Sequence, residues 1–253
     1  ISAAGSEMSN SSVITKEEGW VKRGYSSDYG RPRFAIMNPE LTMTLPDYQT
    51  ACGCTDILMH TMERYFVLED TMEITDKIAQ DVMKNVMKYA KILKKDPENY
   101  EARAEIMWCG SLSHNGLTGC GTCGGDWATH LIEHELGGMF DVAHGAGLAA
   151  VWGSWARYVM DEKPERFAQF AVDVMGVEES DDVKSTALKG IEAVEEFYRM
   201  IEMPTNMKEL GINPTDEQIK DMAMKATNHD TQQLGAFKKL SAKDLVEIYK
   251  TAK

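Results

Sequence analysis

Along residues 1–45 the apolar positions come in short β-branched pieces, Val13-Ile14-Thr15 and Phe34-Ala35-Ile36. Turns at Gly19, Gly24, Gly30, Pro32 and Pro39 separate them. That pattern predicts two or three strands, too few to be stable without a neighbour that covers them. From Thr44 onward the apolar spacing lengthens to about 3.6 residues, the period of a helix with one buried face. Thr44 is placed to cap a first helix in which Pro46 takes an early position, where no intrahelical donor is needed. Ile74, Ile78, Val82, Val86, Tyr89 and Leu93 then keep one apolar face until Asp96-Pro97 stops the run. Further helices are expected at about 98–114, 126–137, 144–160 and 164–175, and one opened by Ser180 that reaches about 202. Thr215-x-x-Gln218 is a capping-box start, and Ser241 opens a last helix through Tyr249. The expected fold is therefore mainly α, with seven to nine helices behind a small β-containing entry segment.

Composition narrows what such a fold does. The chain has 253 residues with 27 Lys+Arg against 40 Asp+Glu, a net charge of −13. A nucleic-acid partner is not expected, because affinity for a phosphate backbone is carried by clustered cations. No run of eighteen apolar residues is present, so no membrane-spanning helix can be drawn. Five cysteines are an odd number at ordinary density, unlike a secreted disulfide framework, and point to a reducing cytoplasm. The opening ISAAGSEMSN has no charged or apolar leader pattern and is not expected to be a signal peptide.

Six histidines carry most of the candidate chemistry. Asp56 and His60 stand four apart on a predicted helix and so share a face. His130 and His134 repeat that spacing before Gly137-Gly138, and His144 opens a third helix between Ala143 and Gly145. One carboxylate and several imidazoles brought together would suit Fe(II), Zn(II) or a similar divalent ion; isolated, each pair would be a surface ion pair. His114 and His229 have no partner in sequence and are expected to be structural or solvent-facing. Cys52-Gly-Cys54 and Cys120-Gly-Thr-Cys123 offer a rival thiol site. Cys-x-Cys on a helix points its thiols apart, so the expectation is free, small, buried thiols. The seventeen methionines are expected to fill the core. Trp108, Trp127, Trp152 and Trp155 are expected on helices, as core or pocket lining. The acidic run Glu178-Glu179-Ser180-Asp181-Asp182 reads as a solvated turn ending at a helix N-terminus. No G-x-x-x-x-G-K-[ST] occurs, so no phosphate-loop nucleotide site rests on a motif.

Asp56-x3-His60, Trp127-Ala-Thr-His130-x3-His134-Glu-Leu and His144-Gly-x-Gly-Leu together resemble the metal-binding pattern of iron-containing alcohol dehydrogenases. The flanks agree: Ala4-Gly5-Ser6-Glu7-Met8 is similar to a Gly-Ser-Glu turn of that family. Asn38-Pro39-Glu40-Leu41 and Thr44-Leu45-Pro46 resemble the run into its helical domain. Asn115-Gly116-Leu117 and the tail Phe237-Lys238-Lys239-Leu240 resemble its butanol dehydrogenase-like branch. The resemblance implies that Asp56, His60, His130 and His144 hold Fe(II) or Zn(II). It implies that His134 is a non-ligand active-site histidine beside substrate and nicotinamide. Gly5, Ser6 and Lys22 would approach the nicotinamide half of NAD(H) or NADP(H), while Ala4 departs from a threonine often found there. Cys52, Cys54 and His114 are also unusual for the family.

The implied reaction is reversible hydride transfer between a primary alcohol, butanol-like, or its aldehyde and the nicotinamide cofactor. The family's chains carry an N-terminal α/β dinucleotide-binding domain with a Gly-Gly-Gly-Ser turn that is not found in these 253 residues. The expected layout is a remnant of that domain at residues 1–45 and a helical metal-binding catalytic domain at 46–253. Such a chain is expected to bind metal but to dehydrogenate weakly alone. The competing readings are a metal-binding helical module completed by a partner, homo-oligomer included, and a mononuclear hydrolase using a metal-activated water.

Overall fold

The computed structural model describes residues 5–69 and 73–253. Ala4, the position where the family's threonine was in question, lies outside them. Two antiparallel strands, β1 (Ser11–Lys16) and β2 (Val21–Ser26), pair from Ser11↔Ser26 to Lys16↔Val21 and form the sheet of the described residues. Two strands meet the expectation of two or three: Phe34-Ala35-Ile36 is unpaired, with Phe34 82% and Ile36 87% exposed. No neighbouring edge offers it hydrogen bonds.

Nine helices follow among the described residues: α1 (Asp47–Tyr65), α2 (Glu73–Lys95), α3 (Tyr100–His114), α4 (Ala128–Phe140) and α5 (His144–Val159), then α6 (Pro164–Asp173), α7 (Val183–Met200), α8 (Asp216–Ala226) and α9 (Ala242–Ala252). The mainly helical expectation stands. Helix α1 is buried all round from Ala51 to Tyr65, as suits a central helix. It packs against α2, α3 and α5, while α4 lies on α5 and α8, and α9 closes over α5 and α8. Tyr65, Phe66, Trp155, Phe167, Phe170 and Phe237 form an aromatic cluster at the C-terminal end of α1. Buried methionines, among them Met59, Met62, Met83, Met207 and Met222, fill the core as expected.

Several boundaries differ from the sequence reading for local reasons. Pro46, not Thr44, is the residue ahead of α1, and Thr44 makes no cap. Asp182 rather than Ser180 caps α7, its carboxylate accepting from the Lys184 N–H at 3.1 Å. On α2 Val82, Val86, Tyr89 and Leu93 are buried as expected, while in its first turn Thr75 and Asp76 point inward and Ile74 outward. The Arg166–Asp76 ion pair, at 2.6 Å, occupies the inward position there. Trp108, expected as core or lining, is half exposed, whereas Trp152 and Trp155 are fully buried. The capping boxes at Thr215/Gln218 and Ser241/Asp244 are both formed.

Candidate functional site

Three helices converge on Asp56. On α1, the spacing i, i+4, i+7 puts Asp56, His60 and Glu63 on one face. On α4, i, i+3, i+4 does the same for His130, Glu133 and His134. His144 is the first residue of α5. The approach of α5 to α1 is made possible by Gly145, where a Cβ would come within 2.1 Å of the Cys52 carbonyl oxygen. α4 is entered through Trp127 at φ +64. The preceding loop is pinned to α1 by the Asp126 N–H donating to the Glu63 carbonyl at 2.8 Å.

Asp56 Oδ1 lies 3.6 Å from Nε2 of each of three rings, His60, His130 and His144. Asp56 Oδ1 and His130 Nε2 are buried with no hydrogen-bond partner. Polar atoms are not normally left so in a protein interior. Two ligand atoms about 2.0–2.2 Å from a tetrahedral ion stand roughly 3.3–3.6 Å apart, so these separations are those of donors around a cation rather than of hydrogen bonds. Ligand atoms of Asp56, His130 and His144 all lie within 4.8 Å of one another, as do those of Glu133, His134 and His144. The donor set therefore fits a divalent ion of the iron or zinc kind.

Burial would raise the Asp56 carboxyl, but His60, His130 and His144 outweigh it and hold the group below the usual carboxylate range. Burial keeps His60 well below the ordinary imidazole value. His130 is also disfavoured by burial, yet the carboxylates of Asp56 and Glu63 raise it to about 9. Burial lowers His134 to about 3, so its ring is neutral, with Nδ1 unpartnered. The His144 side chain is 32% exposed, which makes it the open flank of the cluster.

Behind the rings stand carboxylates that the sequence reading missed. Glu63 Oε1 accepts from the His130 backbone N–H and meets its Nδ1, both at 3.0 Å. Glu133 Oε2 meets His144 Nδ1 and, at 3.2 Å, Lys22 Nζ. Their signal was present as acids three residues past His60 and His130 on the same helix faces. His114, expected to be structural or solvent-facing, is partly buried and stacks on His60 with ring centroids 4.1 Å apart. Its position at the end of α3 comes from tertiary packing, which sequence spacing does not report. Arg64 reaches His114 Nδ1 at 3.5 Å and lies 4.5 Å over the Trp127 ring. His229 is exposed in a turn at φ +59, as expected.

Of the residues expected to approach a nicotinamide, Gly5 is buried against His114 and Gly110 at φ +54, and Ser6 beside it is exposed. Lys22 sits on β2 with its ammonium on Glu133. Cys52, Cys54 and Cys109 are buried, while Cys120 and Cys123 are exposed, so the two Cys pairs do not gather and neither joins the Asp–His cluster.

Residues 50–253 match the profile of the Fe-containing alcohol dehydrogenase family, C-terminal. The chain is 34% identical over 251 residues to NADH-dependent butanol dehydrogenase A of Clostridium acetobutylicum, covering 99% of this chain and 64% of that protein. It is 36% identical over 253 residues to probable NADH-dependent butanol dehydrogenase 1 of Bacillus subtilis, covering 100% of this chain and again 64% of the relative. Among solved structures, NADH-dependent butanol dehydrogenase A from Thermotoga maritima superposes with a TM-score of 0.93 at 36% identity, over 100% of this chain and 64% of that one. The chain thus spans about 64% of the length of the relatives it matches. No helix among the described residues is long and apolar enough to cross a membrane. With fold and profile in agreement, the chain belongs to the iron-containing alcohol dehydrogenase family and is similar to its butanol dehydrogenases.

Proposed function

We propose that this chain is the metal-binding catalytic portion of a nicotinamide-dependent alcohol dehydrogenase that interconverts a primary alcohol and its aldehyde. The observation that carries the reading is Asp56 Oδ1 facing three imidazole Nε2 atoms at 3.6 Å. Asp56, His60, His130 and His144 would hold Fe(II) or Zn(II), with residues 46–253 as the catalytic domain and residues 1–45 on the cofactor side. When bound, a divalent ion polarises the substrate oxygen, and nicotinamide accepts or returns the hydride.

The chain's own residues supply the surroundings. Asp56 contributes one negative charge, which keeps a cation bound without neutralising it. His134, neutral and next to His144 with ring centroids 5.8 Å apart, is placed to pass a proton to or from the alcohol oxygen. His114, Trp127 and the Arg64 guanidinium wall the His60 side. Gly5, against His114, Ser6 beside it and Lys22, on Glu133, would be the residues that approach the nicotinamide. The names of relatives favour this substrate class: butanol dehydrogenases, and the NADPH-dependent aldehyde reductase YqhD of Escherichia coli, 31% identical over 252 residues.

Metal analysis of Asp56→Ala and His144→Ala tests the ligand set. Each is expected to lose bound Fe or Zn, and full occupancy in either would overturn the assignment. Butanal reduction with NADH or NADPH tests the activity. Metal binding without turnover by this chain would favour the alternative of a metal-binding helical module that works only when completed by another segment or subunit.

A further inference from the structure

We propose that Glu63 and Glu133 are positioning residues that fix the tautomer and aim of His130 and His144, and that Lys22 on the hairpin holds Glu133 in place. The inference rests on the metal-binding reading above and concerns what aims its imidazoles. Each carboxylate meets the Nδ1 edge of one ring: Glu63 Oε1 stands 3.0 Å from His130 Nδ1, and Glu133 Oε2 contacts His144 Nδ1. A carboxylate can only accept, so Nδ1 must carry the hydrogen and donate it. Nε2 is then the nitrogen left to give its lone pair to a metal, and in both rings it is the atom that faces Asp56 Oδ1 at 3.6 Å. The two pairs thus do the same thing from different helices: α1 orients a ring on α4, and α4 orients the ring that opens α5.

The seat of Glu133 is built into the backbone. A Cβ on Gly137 would come 2.7 Å from Glu133 Oε1 and 3.2 Å from Lys22 Nζ. A Cβ on Gly147, one turn into α5, would come 2.8 Å from Glu133 Cγ. Two helices therefore leave out a side chain each to admit one fully buried carboxylate. A buried charge of that kind persists only where it is paired. Its partners are the His144 ring and the Lys22 ammonium at 3.2 Å. Lys22 is the one of these that comes from outside the helical body, so the hairpin reaches the proposed metal centre through Glu133. Glu63 is anchored differently, by the His130 backbone N–H at 3.0 Å.

The test measures Zn(II) affinity by chelator competition for the wild-type chain, Glu63→Gln, Glu63→Ala, Glu133→Gln, Glu133→Ala and Lys22→Met, with Asp56→Ala as control. Loss of an outer partner of a ligating histidine typically costs 10–100-fold in metal affinity, and that loss is expected for each Glu variant, larger for Ala than for Gln. Lys22→Met is expected to lose less, in the same direction. Imidazole 15N spectra of the zinc-loaded protein supply a readout that a merely structural role would not move. His130 and His144 should show protonated, strongly hydrogen-bonded Nδ1 and coordinated Nε2, with the Nδ1–H signal of the affected ring altered in its Glu variant. Unchanged zinc affinity and unchanged Nδ1–H signals in folded Glu variants would overturn the proposal. Lys22→Met at wild-type affinity would overturn the part played by the hairpin, and that surface variant keeps the test open if an alanine variant fails to fold. If instead Asp56→Ala binds zinc as tightly as wild type, the metal reading itself fails.

Discussion

At Gly145 the closeness of two helices is decided by a single hydrogen in place of a methyl group. A Cβ there would sit 2.1 Å from the Cys52 carbonyl oxygen, so α5 can deliver His144 to Asp56 only without it. Gly145→Ala is expected to destabilise the chain by about 1–3 kcal/mol, the usual range for overpacking, and to weaken zinc retention by moving His144 off its line to Asp56. Urea unfolding and zinc titration of the same variant would check both effects. The thiols give a second residue-scale expectation. Burial pushes Cys52 up to about 11, Cys54 to about 12 and Cys109 to about 11, while Cys120 and Cys123 are exposed. Iodoacetamide should add to two cysteines in the folded chain and to five after denaturation, counted by mass. A third adduct under native conditions would contradict the burial. Spacing on single helices made Asp56, His60, His130 and His134 legible in the sequence. The carboxylates behind them were not singled out, because an acid on a helix is most often solvated. The stacking of His114 on His60 was not legible, because only the folded chain brings the end of α3 over α1.

Elements announced by their own ends were the easiest to read. Thr215 and Ser241 carry reciprocal side-chain and backbone bonds with Gln218 and Asp244, and both helices begin where those motifs place them. Thr44 looked similar but sits one short turn too early, exposed and without a cap bond. Thr215→Ala is therefore expected to cost about 1 kcal/mol, and Thr44→Ala to stay within about 0.5 kcal/mol, as compared by thermal unfolding. Equal losses would mean that Thr44 caps α1 after all. The segment after α7 offers a pH test. Glu209 accepts from the Thr205 N–H at 2.7 Å and from its hydroxyl at 3.0 Å, and these bonds, led by the backbone one, hold its carboxyl below the ordinary value of 4.5. A carboxylate depressed in the folded state stabilises above its unfolded pKa and loses that contribution as pH falls through the folded one. The difference in melting temperature between wild type and Glu209→Gln should be constant above about pH 5.5 and shrink below pH 4. Phe34-Ala35-Ile36 stays unpaired because a strand needs a partner edge. On α2 the apolar face is legible from Val82 to Leu93, and only in the first turn does Asp76, paired with Arg166, take the inward place that Ile74 leaves.

At the scale of the molecule, the hairpin and the helical body are held together by few and mostly polar links. Glu135 receives Arg23 at 2.6 Å, Glu133 receives Lys22 at 3.2 Å, and Lys225 bonds the Gly19 carbonyl at 3.2 Å. The Trp20 carbonyl lies where a Cβ on Gly138 would fall 2.7 Å away, so backbone meets backbone there. Ile14, Tyr25, Phe34, Ile36 and Leu41 meanwhile stay exposed. Hydrophobic burial is thus concentrated in α1–α9, and the entry segment adds little to their stability. Brief trypsin treatment should cut at exposed Lys16 and Arg33 and leave a helical core with nearly unchanged far-ultraviolet circular dichroism. The trimmed core has lost Lys22, so its zinc affinity should fall below that of the intact chain even though its helices persist. A core that unfolds on trimming would mean that the hairpin carries the fold. A core that keeps full zinc affinity would mean that Glu133 holds His144 without help from the strand beside it.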